Sequence, residues 1–452
     1  MQKQQRFGIV LPIILFSYFM IILDNSIIFT STAKIATDLG LNTQSLAWIT
    51  NAYALTFGGF LLFAGKAGDI FGRKNFFILG LVIFSLSSLL VGLATSAPMI
   101  ITMRAIQGIG SAILAPSTLA LLMDNYTDGM RTRAIAYYGA TGGLGASFGL
   151  VIGGLITTYA SWRVGFFINV PIGLIMLLLA IKYLKRSKTY QQQLDFWGTL
   201  LSVIGVTALV YSIDGSRYRL VALVVAIATL SWFVAHERRA SVPIMPLLLF
   251  KDAERSWAYL TRFFFVGVSL AYFFLTPLAM QQVYGFTPLQ AALGFLPETV
   301  PQFIAALLVS RLTTRYRPAQ IIAVGMGLIA IGSLMAALIK VQSGYWLAIA
   351  LPMVVLGIGQ GIALGMLTVA GVAHTNATLS GSASGVINAI HQIGGSIGLS
   401  AVVALTSQYT QPVQSYNWSL IWITVIAILG LIGAIGILKA AQGQPKAQSS
   451  NR

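Results

Sequence analysis

Fourteen stretches of this chain are apolar and long enough to cross a bilayer, and a chain so built has few ways to fold. A membrane helix needs about 20 apolar residues. Runs of that kind lie near 8–30, 46–64, 76–95, 99–122, 132–156, 162–181, 196–213, 219–235, 256–281, 288–311, 318–339, 345–371, 381–407 and 417–438. Inside lipid the backbone must satisfy its own hydrogen bonds, which at this segment length predicts an all-α membrane protein. The runs group as six, two and six. We read a six-helix bundle over 1–188, two inserted transmembrane helices with linkers over 189–255, and a second six-helix bundle with a cytoplasmic tail over 256–452. The first run is about twice as long as a signal-peptide core and lacks a small-residue cleavage site, so it reads as a span.

Composition excludes several classes. With 57% hydrophobic and 9% charged residues, an ordinary soluble globule has no surface to offer water. Lys and Arg total 28 against 11 acids. In a membrane chain this excess marks cytoplasmic loops rather than a nucleic-acid site. With the N-terminus inside, 21 of the 28 fall in inner segments, and five (Lys34, Arg163, Arg217, Arg219 and Lys340) fall outside. Arg104 and Arg262 are left in or beside spans. Both termini are therefore expected in the cytoplasm, in a multi-pass protein of the cell inner membrane. With no Cys, thiol catalysis, disulfides and Cys-held metals are excluded. No G-x-x-x-x-G-K-[ST] sequence supports direct ATP drive. The three His lie on different segments with no acid-rich loop, so neither an enzyme nor a metal or cofactor site is expected.

The loop after the second run, "GKAGDIFGRKN" (65–75), has a weaker echo after the tenth, "SRLTTRYRPAQ" (310–320), with Thr314 where the acid would lie. Paired six-helix blocks are a transporter plan in which the halves rock around a midplane site. In the fifth run Gly145, Gly149 and Gly153 recur every four residues, with Gly154 beside them, a stripe on which another helix can pack closely.

Four motifs together resemble the major facilitator superfamily, specifically its fourteen-helix drug:proton antiporter branch, over essentially the whole chain. "GKAGDIFGRK" matches the loop signature through Gly65, Asp69, Gly72, Arg73 and Lys74; "RAIQGIGSA" matches the fourth-helix signature through Arg104, Gln107, Gly108 and Gly110. "GASFGLVIGG" resembles the exporter signature and is followed by "WRVGFFINVPIG", while "LDNSIIFTSTAKIATDLG" aligns an acid with Asp24. The chain departs from the pattern at Leu150 and Lys34, where proline is usual, and at His391, where arginine is frequent. The resemblance implies a major facilitator fold, a cytoplasmic latch in the 65–74 loop, and a glycine stripe at the interface between halves. It also implies a monomer that exchanges protons for lipophilic or cationic drugs. A lipid or glycolipid flippase on the same fold is the alternative.

Ionisable residues inside spans are costly and mark function. At about 1.5 Å per residue, Asp24 lies about 9 Å and Arg104 about 7.5 Å from the outer ends of their helices, matching depths at which a buried pair can form. Such a pair either carries the transported proton or is a static bridge. Glu298, about 15 Å deep between Pro297 and Pro301, reads as a second proton carrier, a contact for a cationic drug, or a neutral acid bonded to a freed carbonyl. His391 lies at similar depth and reads as a proton relay or a packing residue. Asn25, Tyr53, Gln107, Gln281, Gln360 and Asn388 are the remaining expected substrate contacts, with membrane lipids as surroundings.

Overall fold

The structure, a computed structural model, describes residues 7–185, 189, 193–213 and 218–442. Of the charges used above for orientation, Lys3, Arg6, Arg186, Lys188, Arg217, Lys446 and Arg452 lie outside the described residues, as does the tail after 442. Among the described residues there are helices and no strands. The chain runs through α1 (Val10–Leu39), α2 (Thr43–Phe71), α3 (Arg73–Gly92), α4 (Ala97–Asn125), α5 (Asp128–Tyr159), α6 (Trp162–Phe167), α7 (Asn169–Tyr183), α8 (Phe196–Ile213) and α9 (Arg219–Glu237). It continues through α10 (Ala253–Tyr284), α11 (Pro288–Leu293), α12 (Leu296–Leu312), α13 (Pro318–Ile339), α14 (Leu351–Gly371), α15 (Ala377–Thr406) and α16 (Pro412–Gln442).

Among the described residues thirteen helical segments are long and apolar enough to cross a membrane, and α5, 32 residues long, lies where the remaining expected span falls. Their outward faces are apolar: Leu220 is 73% and Trp346 76% exposed, which lipid accommodates and water does not. Two expected single spans are interrupted. The sixth breaks at Ile168 into α6 and α7, and the tenth breaks at Gly294 and Phe295, just ahead of Pro297, into α11 and α12. Proline's missing N–H and its steric demand on the preceding turn account for the second break.

Local signals set the other boundaries. The Asn42 side chain caps α2 by accepting from Ser45 N, and Thr287 and Gln290 form a reciprocal capping box on α11. One residue separates α2 from α3: Gly72, at φ +90°, a conformation that only glycine adopts without strain.

The chain forms two compact units. One runs through Ile244 and includes Phe273–Leu296 and Leu399–Tyr416; the other comprises Met245–Tyr272, Pro297–Gly398 and the residues from Asn417 on. In the first, α1 packs on α5, α2 and α3 pack on α4, and the inserted pair α8 and α9 pack on each other, with α8 against α2. In the second, α13 packs on α14.

The fifth-helix glycines show how these contacts are made. A Cβ on Gly145 would meet Ile22 at 3.1 Å, on Gly149 Ser26 at 2.6 Å and on Gly153 the Ile27 Cα at 2.8 Å, so the stripe is filled by α1. Gly154, about 100° further round the helix, instead faces Pro288, Leu289 and Ala292 of α11. The stripe is therefore chiefly a packing face within the N-terminal six helices, and Gly154 alone of the four meets a helix from the C-terminal part of the sequence. Gly153→Ala should destabilise the protein by about 1–3 kcal/mol, because its obstacle is backbone that cannot step aside. Gly65→Ala, whose nearest neighbour would be Pro116 at 3.8 Å, should be neutral or slightly stabilising. Thermal unfolding in detergent measures both.

Candidate functional site

Asp24 is the midpoint of the 30-residue α1 and is fully buried. Its Oδ2 accepts from Arg104 Nη1 at 2.5 Å, and its Oδ1 accepts from Gln107 Nε2 at 2.8 Å and from Asn169 Nδ2 at 3.0 Å. Ser88 Oγ receives the same two amides, at 2.5 and 3.0 Å. Arg104 also donates from Nε to the Ile49 carbonyl at 3.3 Å and from Nη1 to Gln107 Oε1 at 2.6 Å. Its guanidinium lies 4.3 Å from the centre of the Tyr53 ring, a cation–π contact. The Tyr53 hydroxyl in turn donates to Ser111 Oγ at 2.6 Å and accepts from Asn25 Nδ2 at 3.1 Å.

Helical geometry explains the convergence. Arg104 and Gln107 are three residues apart and share a face of α4, so one helix supplies both the cation and an amide. The break at Ile168 makes Asn169 the first residue of α7 and turns its amide onto Asp24. Chemically this is a carboxylate whose charge is offset by one cation and two amides in a water-poor site.

The first unit thus brings Asp24, Arg104, Gln107, Asn25 and Tyr53 together, and it adds Asn169 and Ser88, which sequence reasoning missed. Asn169 sits in "WRVGFFINVPIG", where an amide inside an apolar run was the available signal. Gln281 is not with them. It donates to the Thr30 and Pro277 carbonyls and lines a pocket of about 350 Å³ with Lys34, Thr37, Thr158 and Thr287. Lys34 is ten residues along α1 from Asp24, about 15 Å.

The second unit holds Glu298, Gln360, Asn388 and His391. Glu298 is buried, accepts from Gln360 Nε2 at 2.8 Å, and has no described partner on its other oxygen. Gln302 donates to Gln360 Oε1 at 3.3 Å. Gly357 and Gly361 let α14 approach the α12 backbone at Glu298 and Gln302, which holds this pair of helices in register. Asn388 is exposed and bonds only locally, to the Ser384 carbonyl.

In the 65–74 loop Arg73 is the hub. It donates from Nε to Asp69 at 2.8 Å and from Nη1 to Asp124 at 2.6 Å, and Lys74 Nζ caps the end of α7 through the Ile181 and Leu184 carbonyls at 2.9 and 2.6 Å. Gly72 makes the turn. Gly65 is not closely packed.

The family model of the Major Facilitator Superfamily matches residues 14–399. The cephamycin export protein of Amycolatopsis lactamdurans is 33% identical over 410 residues, which span 87% of this chain and 84% of that one. The puromycin resistance protein of Streptomyces alboniger is 31% identical over 415 residues, spanning 88% and 82%. Among solved structures, a POT family transporter in complex with 5-aminolevulinic acid superposes with a TM-score of 0.72 at 15% identity, covering 96% of each chain. That likeness shows the fold.

Proposed function

The chain belongs to the Major Facilitator Superfamily, and from that premise we propose that it exports lipophilic or cationic drugs in exchange for protons, by alternating access. It is a multi-pass membrane transporter rather than an enzyme. In this reading it sits as a monomer in the cytoplasmic membrane with both termini inside, and the six-helix halves at 1–188 and 256–452 rock about a central site. Export is supported by relatives whose names record export of, or resistance to, antibiotics.

The observation that carries the proton coupling is the Asp24 site. Its carboxylate is the only acid among the described residues fully buried against an arginine. Deprotonated, it holds Arg104, Gln107 and Asn169 around itself. A proton from outside removes its charge, loosens Arg104, and leaves Arg104 on Ile49, Gln107 and the Tyr53 ring. Four helices that bear these groups, α1, α2, α4 and α7, are then free to shift together. Release of the proton inside restores the clamp. Glu298 with Gln360 and Gln302 serves as a second polar station, and the Arg73 hub steadies the loop between α2 and α3.

Purified protein in liposomes tests this reading through ethidium movement with and without an imposed pH gradient. Ethidium should accumulate against its own gradient only when the proton gradient is present. Movement of a fluorescent lipid in place of ethidium would replace drug export with flippase activity.

A further inference from the structure

Among the described residues three arginines are deeply buried, and one of these lacks both an acid and a full set of acceptors. Arg104 has Asp24. Arg255 spends Nε, Nη1 and Nη2 on the carbonyls of Leu249, Ala373 and Leu248. Arg262, on α10, is 5% exposed and makes one described hydrogen bond, from Nη1 to the Leu364 carbonyl at 2.9 Å. Its Nε is buried with no partner, and the Phe265 ring, 5.8 Å away, is its other described contact. None of the described acids forms an ion pair with it.

His391 of α15 is close enough to Arg262 for their charges to interact, and its Nδ1 is likewise buried without a partner. Glycines bring the two helices together. A Cβ on Gly394 would meet the Phe263 carbonyl oxygen at 2.6 Å, and one on Gly267 would meet the Gly394 oxygen at 3.3 Å. Arg262 and His391 flank this crossing, next to Phe263 and three residues before Gly394. His391 is partly exposed, whereas Arg262 is 5% exposed.

A buried guanidinium is expensive unless an anion answers it. Here the Leu364 carbonyl takes Nη1, and the edge left over is Nε with Nη2. That edge is the one a carboxylate grips with two parallel hydrogen bonds. An imidazole N–H beside it adds a third donor. We infer that Arg262 and His391 form a recognition subsite for the carboxylate of an amphipathic substrate. The inference rests on the exporter reading and adds to its lipophilic and cationic substrates a class with an acidic head on an apolar body.

Equilibrium binding tests it without any gradient, so its outcome is separate from that of the transport assay. The probes are dansylglycine and its neutral amide, measured by equilibrium dialysis against the full-length protein in nanodiscs. The carboxylate should bind at least about tenfold more tightly than the amide. Arg262→Gln should abolish that preference, and His391→Gln should reduce it. Arg262→Lys keeps the charge but loses the fork; it should retain only part of the preference, and it reads the site if the Gln variant does not fold. Equal affinity for the two probes, binding of neither, or a preference unchanged in the Arg262 variants overturns the inference. A carboxylate preference in a protein that fails the ethidium assay would leave the subsite standing and remove proton-driven drug export.

Discussion

Asp24→Asn should leave a folded protein that still binds and equilibrates its substrate yet no longer concentrates it when a proton gradient is imposed. The asparagine is nearly the same shape, and its Oδ1 can still accept from Gln107 and Asn169, which now lie 2.8 and 3.0 Å from the carboxylate. What it cannot do is take up and release a proton. Arg104 loses its counter-ion but keeps the Ile49 carbonyl, Gln107 Oε1 and the Tyr53 ring, so the cost to folding is partial. Uphill accumulation should fall to the level of protein-free liposomes. Downhill exchange of preloaded dye should persist at a rate within about an order of magnitude of the native chain, since no contact outside the Asp24 cluster is altered. Equal loss of both activities would assign Asp24 to packing.

Arg104→Ala is the more damaging change to the fold. It strips the cation from a carboxylate with no exposure to water and opens a void between Tyr53 and Phe166, whose ring is 5.8 Å from the guanidinium. Breaking a buried pair by removing one partner costs about 3–5 kcal/mol. Thermal unfolding in detergent should show a clear fall in Tm, with transport lost. The double variant, Asp24→Asn with Arg104→Ala, should be more stable than Arg104→Ala alone, because the orphaned charge is gone. Its non-additivity should be about 0.5–3 kcal/mol, the range for residues in direct contact. Strict additivity would mean that the two side chains do not depend on each other.

Much of this architecture is legible in the amino-acid sequence because lipid imposes a length rule on each span, and depth follows from counting residues at a fixed rise. Depth, counted to residue 30, paired Asp24 with Arg104, although α1 runs on to Leu39 and makes Asp24 its midpoint. It says nothing about rotation around a helix or about which neighbour a face meets. That is why the glycine stripe, readable as a close-packing surface, could not be assigned to α1, and why Gln281 was grouped with polar residues it does not approach. Asn169 and Ser88 were hidden for another reason. An asparagine after a break in its helix and a lone serine in an apolar run carry no sign of a partner until the chain brings α3 and α7 beside α1. Pro297 and Pro301 marked a distortion near Glu298, and the break falls at Gly294 and Phe295, since proline obstructs the turn that precedes it.

The central claim is that substrate leaves as protons enter through Asp24, and the most direct measurement is the proton flow itself. Protein is reconstituted into liposomes that enclose the pH indicator pyranine, with no imposed pH gradient, and an ethidium gradient is applied. Ethidium movement through the native chain should drive an opposing proton flux that changes the pyranine signal, and Asp24→Asn should pass dye with no such change. Dye movement without proton flux in the native chain, or proton flux that survives in Asp24→Asn, would contradict the account.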